Sequence, residues 1–168
     1  MKKQGFTLIE LMVVIVIMGI LAAVAVPKLF GMIAKSKASE VGPAAGTYVK
    51  LQDAHAAETG AVGTWKMIGY IAPGAKTDDN TYKTNVFDYT NAFTGADNQT
   101  TMVGALEDDT EGWRATAKTA LNDCPISSYW YIEMSKSGTG ATVKYAAKLS
   151  DETNCKTLTA NFASIGHD

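Results

Sequence analysis

Few side chains in this sequence have the types and spacing that chemistry requires. One carboxylate, Glu10, stands near the front of a long apolar run, and the other candidates are two cysteines, Cys124 and Cys155, and two histidines, His55 and His167. Four carboxylates also crowd within one short segment: Glu107, Asp108, Asp109 and Glu111. Oxygen ligands suit calcium, paired thiols suit a disulfide and histidine suits general base catalysis.

The acidic segment and the histidines do not combine into a catalytic or metal site. The segment EDDTEG (107–112) lacks the alternation of an EF-hand loop, which favours a solvated acidic turn and leaves calcium binding as the alternative. His55 falls on an apolar stripe, as a packed or interface histidine does, and His167 lies in a tail. Two cysteines and two histidines are too few for a zinc site. We predict no catalytic residues, no metal and no cofactor.

The apolar run is the strongest signal in the chain. Residues 6–26 include only two polar side chains, Thr7 and Glu10, and as a helix they span about 31 Å, the thickness of a bilayer core. Lys2 and Lys3 precede the run, and no cation follows before Lys28. The positive-inside rule then leaves the N-terminus in the cytoplasm and exports the remainder.

Two ordinary explanations of the run leave Glu10 unexplained. The sequence AVA at 23–25 fits the small-x-small rule for cleavage of a secretory signal, and an uncleaved membrane anchor is the second explanation. A charged residue at the centre of a membrane helix costs about 2.5–3.5 kcal/mol, and less near its end. Neither a disposable signal nor a passive anchor gains anything from that cost.

A third explanation accounts for Glu10 and for the glycine before the run. The sequence KKQGFTLIE, followed by an apolar helix, resembles the class III leader of type IV pilins and their pseudopilin relatives. The resemblance is close over residues 1 to about 35 and only an outline beyond. In that family a membrane aspartyl peptidase cleaves after the glycine and N-methylates the new first residue. The resemblance implies cleavage between Gly5 and Phe6, N-methylation of Phe6, and Glu10 as the family's glutamate at the fifth mature position.

Cleavage would give Glu10 a cationic partner. The new α-amino group of Phe6 has an unperturbed pKa near 8 and lies one helical turn from the Glu10 carboxylate. Because an unpaired charge is heavily penalised in an apolar medium, the two groups would pair within one subunit or between neighbours. The resemblance implies the pair between neighbours, which sets axial register. The alternative is a carboxylate that snorkels to the lipid headgroups.

The helix continues well beyond the apolar run. After Pro27 the apolar positions recur at steps of three and four: Phe30, Ala34, Ala38, Val41, Ala45, Tyr48, Leu51 and His55. This pattern predicts one helix from about Phe6 to about Thr59, capped by Gly60 and packed by its second half on a sheet. Gly19 and Pro27 predict a kink and a weak turn, a stretch that the resemblance implies unwinds on assembly. Gly42 and Pro43 predict a gentle bend.

The remainder of the chain reads as short strands separated by turns. The predicted strands are Val86–Phe93, Trp113–Leu121, Tyr129–Ser135, Thr142–Leu149 and Leu158–Phe162. A hairpin turn is expected at 136–140, and the segment 75–85 reads as a polar loop. One helix followed by antiparallel strands is the α+β pattern. The predicted fold is therefore a long N-terminal helix packed on a small antiparallel β-sheet head.

The two cysteines lie in the exported half, where disulfides persist. Many type IV pilins have a C-terminal disulfide loop, and Cys124 and Cys155 fit it, so the resemblance implies that they are bonded. Two free buried thiols are the alternative. Most major pseudopilins of secretion systems lack such a loop, which favours a pilus over a secretion piston.

These observations favour a structural filament subunit over an enzyme. The expected parts are a leader at 1–5, a transmembrane and filament-core helix at 6–28, an amphipathic half at 29–60 and a β-rich head at 61–168. The resemblance implies a type IV pilin precursor in the bacterial inner membrane, processed by the prepilin peptidase. The pilus assembly machinery then polymerises it into a surface pilus, or fimbrium. A pseudopilin of a type II secretion or DNA-uptake system is the first alternative, and an anchored, non-polymerising binding module is the second. The formal net charge of −2 gives no sign of nucleic-acid binding.

Overall fold

The computed structural model describes residues 5–93, 99–138 and 142–166, and it begins with a long helix. Helix α1 spans Leu8–Ala38 and is capped by Thr7. It therefore begins two residues later than the sequence pattern predicts, because the side chain of Thr7 takes a backbone donor of the first turn. The helix continues without interruption through Gly19 and Pro27, so a weak turn there stays a prediction for the assembled state.

The predicted single helix is present from Leu8 to Thr59, with a short interruption of its hydrogen bonding. Helix α2 spans Val41–Thr59, and the two residues between the helices, Ser39 and Glu40, form a turn. Pro43 has no N–H to donate to the carbonyl of Ser39 four residues earlier, and the N–H of Ser39 bonds only three residues back, to Ser36. The gentle bend expected from Gly42 and Pro43 takes the form of a two-residue break in the helical hydrogen bonding at Ser39 and Glu40. Both residues keep right-handed helical backbone angles, so Leu8–Thr59 remains one helical stretch. The end of α2 is as predicted, since Gly60 takes the left-handed conformation at φ 70°.

Eight strands follow within the described residues, and they form two antiparallel sheets. The strands are β1 Ala61–Gly63, β2 Ala75–Asp78, β3 Thr81–Lys83, β4 Phe87–Thr90, β5 Thr100–Met102, β6 Thr110–Ala117, β7 Tyr129–Ser137 and β8 Thr142–Leu149. Strands β1 and β5 pair with each other, and the other six form a sheet in the order β2-β3-β4-β6-β7-β8. The helices are the short α3 at Trp65–Ile68, α4 at Glu152–Cys155, and 3₁₀ turns at Val103–Ala105, Lys156–Leu158 and Phe162–Ser164. The fold is α+β, as predicted.

The predicted strands agree with the structure in part. Those at 129–135 and 142–149 are correct, and the two strands pair as a hairpin, although residues 139–141 of its turn lie outside the described residues. The strands predicted to reach Phe93 and Leu121 end earlier, at Thr90 and Ala117. Two predictions are wrong. The polar loop at 75–85 contains β2 and β3, which pair at the sheet edge, and Leu158–Phe162 is not a strand.

The core lies between one face of the six-stranded sheet and the C-terminal part of the helix, from Ala34 through α2. Five of the predicted stripe positions are buried, but Phe30 is exposed, and Leu51 and His55 are only half-buried. Gln52 and Ala56 are buried in their place. Beyond Tyr48 the buried row runs at steps of four, because that row faces Met134 on β7. The polar Gln52 donates to the Met134 sulfur at 3.4 Å, while Leu51 beside it is half-buried and packs against the core.

Candidate functional site

The large apolar side chains of α1 are left uncovered by the described residues as far as Ile33. Every large apolar side chain from Phe6 to Ile33 is exposed, with exposed fractions that run from 85% at Phe6 to 42% at Ile33. In α1 the first buried side chain is Ala34, at the point where the helix begins to pack against the head. Within the described residues, the helical stretch Leu8–Thr59 is the one segment long and apolar enough to cross a bilayer. Such a surface needs lipid or other protein around it.

Glu10 and Thr7 form a capping box at the start of this helix. The Glu10 carboxylate accepts hydrogen bonds from the backbone N–H and the hydroxyl of Thr7, each at 2.8 Å. The Thr7 hydroxyl oxygen accepts from the N–H of Glu10 at 3.3 Å. Two backbone donors of the first turn are thereby satisfied reciprocally. In the uncleaved chain the nitrogen of Phe6 belongs to a peptide bond and carries no charge. The Glu10 carboxylate is hydrogen-bonded to Thr7 instead.

The bond expected to be cleaved lies just outside the helix. Gly5 and Phe6 precede the capping residue in non-helical backbone, and Phe6 is 85% exposed. Helical hydrogen bonding begins only at Thr7, whose carbonyl accepts from the N–H of Leu11 at 3.3 Å. The structure therefore brings Gly5, Phe6 and Glu10 into one short exposed region at the end of the apolar helix.

Thr7 is the residue that sequence analysis missed. It was counted only as one of two polar residues in the apolar run. The spacing Thr-x-x-Glu directly before an apolar helix is the signature of a capping box, and it stands in the sequence as Thr7 to Glu10. Reading that signal would have given both the start of the helix at Leu8 and a partner for the carboxylate in the uncleaved chain.

A second carboxylate fastens the helix to the head. Glu40, in the break between α1 and α2, accepts hydrogen bonds from the hydroxyls of Thr84 at 2.9 Å and Tyr89 at 3.0 Å. Burial, and after it the Glu40 charge, raises the pKa of the Tyr89 phenol far above its usual value, so Tyr89 stays a donor. Tyr70 on the other side donates to the Ala44 carbonyl at 3.0 Å. These hydrogen bonds join the head to the helix close to the break between α1 and α2.

The other candidates remain separate from this region. Asp109 faces Lys148 at 3.8 Å and Glu111 pairs with Arg114, while Glu107 and Asp108 are exposed. No cluster of three or more potential metal ligands occurs in the part of the chain that the structure describes. His55 lies at the top of α2 beside Gly63, apart from the carboxylates, and His167 lies outside the described residues.

The two cysteines are joined in a buried disulfide, Cys124–Cys155. The chain on each side of it reaches the helix. Residues 120–122 line one surface groove together with α1 between Phe30 and Lys37, and the 3₁₀ turn Lys156–Leu158 contacts α1. The bond therefore joins two segments that hold the helix where it leaves the head.

Comparison with known proteins gives matches to the N-terminal region. Residues 1–26 match the family model described as the prokaryotic N-terminal methylation motif. The chain is 56% identical over 39 residues to the type IV major pilin protein PilA of Myxococcus xanthus, which covers 23% of this chain and 18% of that protein. It is 56% identical over 39 residues to the type IV major fimbrial protein FimA of Dichelobacter nodosus, covering 23% and 25% of the two chains.

A fimbrial protein, EcpC of Eikenella corrodens, is 54% identical over 44 residues, or 26% of this chain and 29% of that protein. The chain therefore matches less than a third of the length of these relatives. The match to the family model includes the whole apolar run, and the relatives that share this N-terminal region are type IV pilin and fimbrial proteins by name.

Proposed function

We propose that this chain, with the N-terminal segment of a type IV pilin and a helix-on-sheet head, is the structural subunit of a type IV pilus. In this proposal it is made as an inner-membrane precursor with a leader at 1–5. The prepilin peptidase cleaves between Gly5 and Phe6, and Phe6 is N-methylated. The assembly machinery then draws the helix out of the bilayer into a surface filament. The subunit catalyses no reaction.

The observation that carries the proposal is the uncovered apolar helix with one carboxylate near its free end. All of its large apolar side chains up to Ile33 are exposed. Lipid covers them in the precursor, and the helices of other subunits would cover them in the filament core. In that core Glu10 would pair with the new amine at Phe6 of a neighbour, which gives neighbouring helices a fixed axial offset.

The test is the mass of the filament protein. Sheared surface filaments should contain this chain as their main component. Its intact mass should equal that of a polypeptide that begins at N-methylated Phe6 and contains one disulfide. The change Gly5→Asp should leave the uncleaved precursor in the membrane and abolish the filaments. Filament protein that begins at Met1, or at Val26 after signal cleavage, would contradict the proposal.

The same experiment separates the alternatives. A pseudopilin would be processed at the same bond but would not form abundant long surface filaments at its natural expression level. An anchored binding module would keep residues 1–5 and stay in the membrane fraction. The disulfide between Cys124 and Cys155 favours the pilus, because most major pseudopilins lack such a loop.

A further inference from the structure

We propose that Thr7 is a positioning residue for leader cleavage, because its side chain stops the helix before the Gly5–Phe6 peptide bond and keeps that bond accessible. This inference rests on the proposed processing at Gly5. It concerns how the precursor presents that bond to the peptidase, and it assigns Thr7 a role before assembly begins.

Cleavage requires an accessible carbonyl at Gly5. Hydrolysis adds water to the Gly5 carbonyl carbon, breaks its bond to the Phe6 nitrogen, and leaves a carboxylate on Gly5 and an amine on Phe6 that takes up the proton. Proteins that bind peptides along their backbone commonly take them as extended strands. A carbonyl inside a helix is already bonded to the N–H four residues later and is enclosed by the turn. If the scissile bond lay within the helix, the helix would therefore have to unwind there before cleavage.

The apolar helix has a reason to extend across this bond. In a bilayer each unsatisfied backbone group costs several kcal/mol, so a membrane helix tends to add turns at its end. Two further residues of helix would place the N–H of Ile9 on the Gly5 carbonyl and the N–H of Glu10 on the Phe6 carbonyl. The phenyl ring of Phe6 is itself apolar, so side-chain polarity does not prevent that extension.

The Thr7 side chain removes one of those two donors. Its hydroxyl oxygen accepts the Glu10 N–H at 3.3 Å, and its own backbone is extended, with φ −84° and ψ 151°. The Glu10 carboxylate in return accepts the Thr7 N–H at 2.8 Å. Residues 5–7 are consequently outside the helix, and helical bonding starts at the Thr7 carbonyl. The capping box thus sets the helix boundary two residues beyond the bond to be cleaved.

The test measures cleavage of the full-length precursor in membrane vesicles by the prepilin peptidase, at substrate concentrations below saturation. Thr7→Val and Thr7→Ala remove the capping oxygen and should be cleaved about fivefold more slowly, the loss expected from one N-cap. Thr7→Ser and Thr7→Asn keep a capping oxygen and should stay within about twofold of wild type. Thr47→Val, the same change in α2 far from the cleavage site, should match wild type.

A spectroscopic measurement separates capping from direct contact with the peptidase. In micelles, the carbonyl ¹³C shift of Gly5 should move toward helical values in Thr7→Val and stay at the wild-type value in Thr7→Asn. Three results would overturn this inference and leave the proposed function standing. They are equal cleavage rates for all four Thr7 variants, slow cleavage of Thr7→Ser and Thr7→Asn, or an unchanged Gly5 carbonyl shift in Thr7→Val. A wild-type precursor not cleaved at Gly5 would overturn the proposed function as well.

Discussion

At the scale of single residues, Glu10 has one partner in the uncleaved chain and a different expected partner after cleavage. Thr7 holds its carboxylate in the precursor. In the filament we expect the amine of Phe6 to take that place, because an amine drawn into an apolar core needs a counter-charge. In the proposed function the same side chain would therefore serve the helix end first and the subunit contact later.

The change Glu10→Ala should separate these two uses. Membrane insertion should be unchanged or improved, and cleavage should continue, since the bond from the Glu10 N–H to the Thr7 hydroxyl remains. Polymerisation should fail, because an unpaired buried charge costs about 3–5 kcal/mol at each contact. The measurement compares sheared filament with subunit retained in the membrane. Glu10→Asp is the matched variant, and normal filaments from Glu10→Ala would support the snorkelling alternative instead.

Gly112 is a residue whose role depends on a close approach inside the head. It lies at the bulge in β6 between Glu111 and Trp113. A Cβ at Gly112 would come within 2.0 Å of the Tyr48 hydroxyl oxygen and 2.8 Å of the Met134 methyl carbon. The absent side chain thus makes room for the Tyr48 hydroxyl, which donates to the Met134 sulfur at 3.3 Å. Glycine is required here for space.

We expect Gly112→Ala to lower the free energy of unfolding by about 2–3 kcal/mol through overpacking. The second change Tyr48→Phe removes the clashing oxygen and should recover part of that loss in the double variant. Urea unfolding of the detergent-solubilised protein, followed by near-ultraviolet circular dichroism, measures both. Gly104→Ala is the control, because a Cβ there meets nothing within 4 Å. Strictly additive losses in the double variant would contradict the proposed clash.

At the scale of elements, the disulfide serves the helix as well as the loop that it closes. It joins residues 31 apart in sequence; the segment after Cys155 contacts α1, and the segment before Cys124 lines a groove with it. Glu40 ties the break between α1 and α2 to Thr84 and Tyr89. The helix is therefore held in the head by a covalent closure and a hydrogen-bonded carboxylate.

Replacing both Cys124 and Cys155 by serine should lower the free energy of unfolding by about 3.7 kcal/mol, the loop-closure value for a loop of this length. Amide hydrogen exchange at Ala34 and Ala38 should also become faster, because the segments that cover α1 are no longer joined. Reduction of the wild-type protein is the matched control and should give the same two changes. A loss below about 1 kcal/mol with unchanged exchange would contradict this role.

At the scale of the whole molecule, the head is built around buried tyrosines. Burial is the largest cause that raises the pKa of Tyr48, Tyr70, Tyr89 and Tyr145 above the ordinary value of a phenol. A raised pKa in the folded state means that the folded protein keeps these protons while the unfolded chain releases them. Their contribution to stability is fully present below about pH 10 and is lost as the pH rises toward the folded values.

The free energy of unfolding, measured in urea, should therefore be flat between about pH 8 and 9.5 and fall steeply above pH 10, by about 1.4 kcal/mol per pH unit for each such tyrosine. Tyr145→Phe should reduce that slope by one proton, and its cost at pH 8 should be small, because the Tyr145 hydroxyl has no hydrogen-bond partner among the described residues. A free energy of unfolding that stays constant up to pH 11 would contradict this expectation.

The sequence alone determined the features that depend on local pattern. An unbroken apolar run predicts a membrane-length helix because each residue acts through its own transfer energy, and Gly60 predicts the end of α2 by its backbone freedom. The α+β class and the strands at 129–135 and 142–149 follow from alternation in the same way. The N-cap at Thr7 was also readable, since a capping box spans only four residues.

Tertiary structure decided the features that depend on which residues meet across the chain. The polar segment 75–85 forms two strands because β3 pairs with the edge of β4 and β2 then pairs with β3. Gln52 is buried because the Met134 sulfur lies opposite it, and Gly112 is needed because Tyr48 packs against its backbone. These partners lie 82 and 64 residues apart in sequence, and no pattern within a short window specifies such contacts.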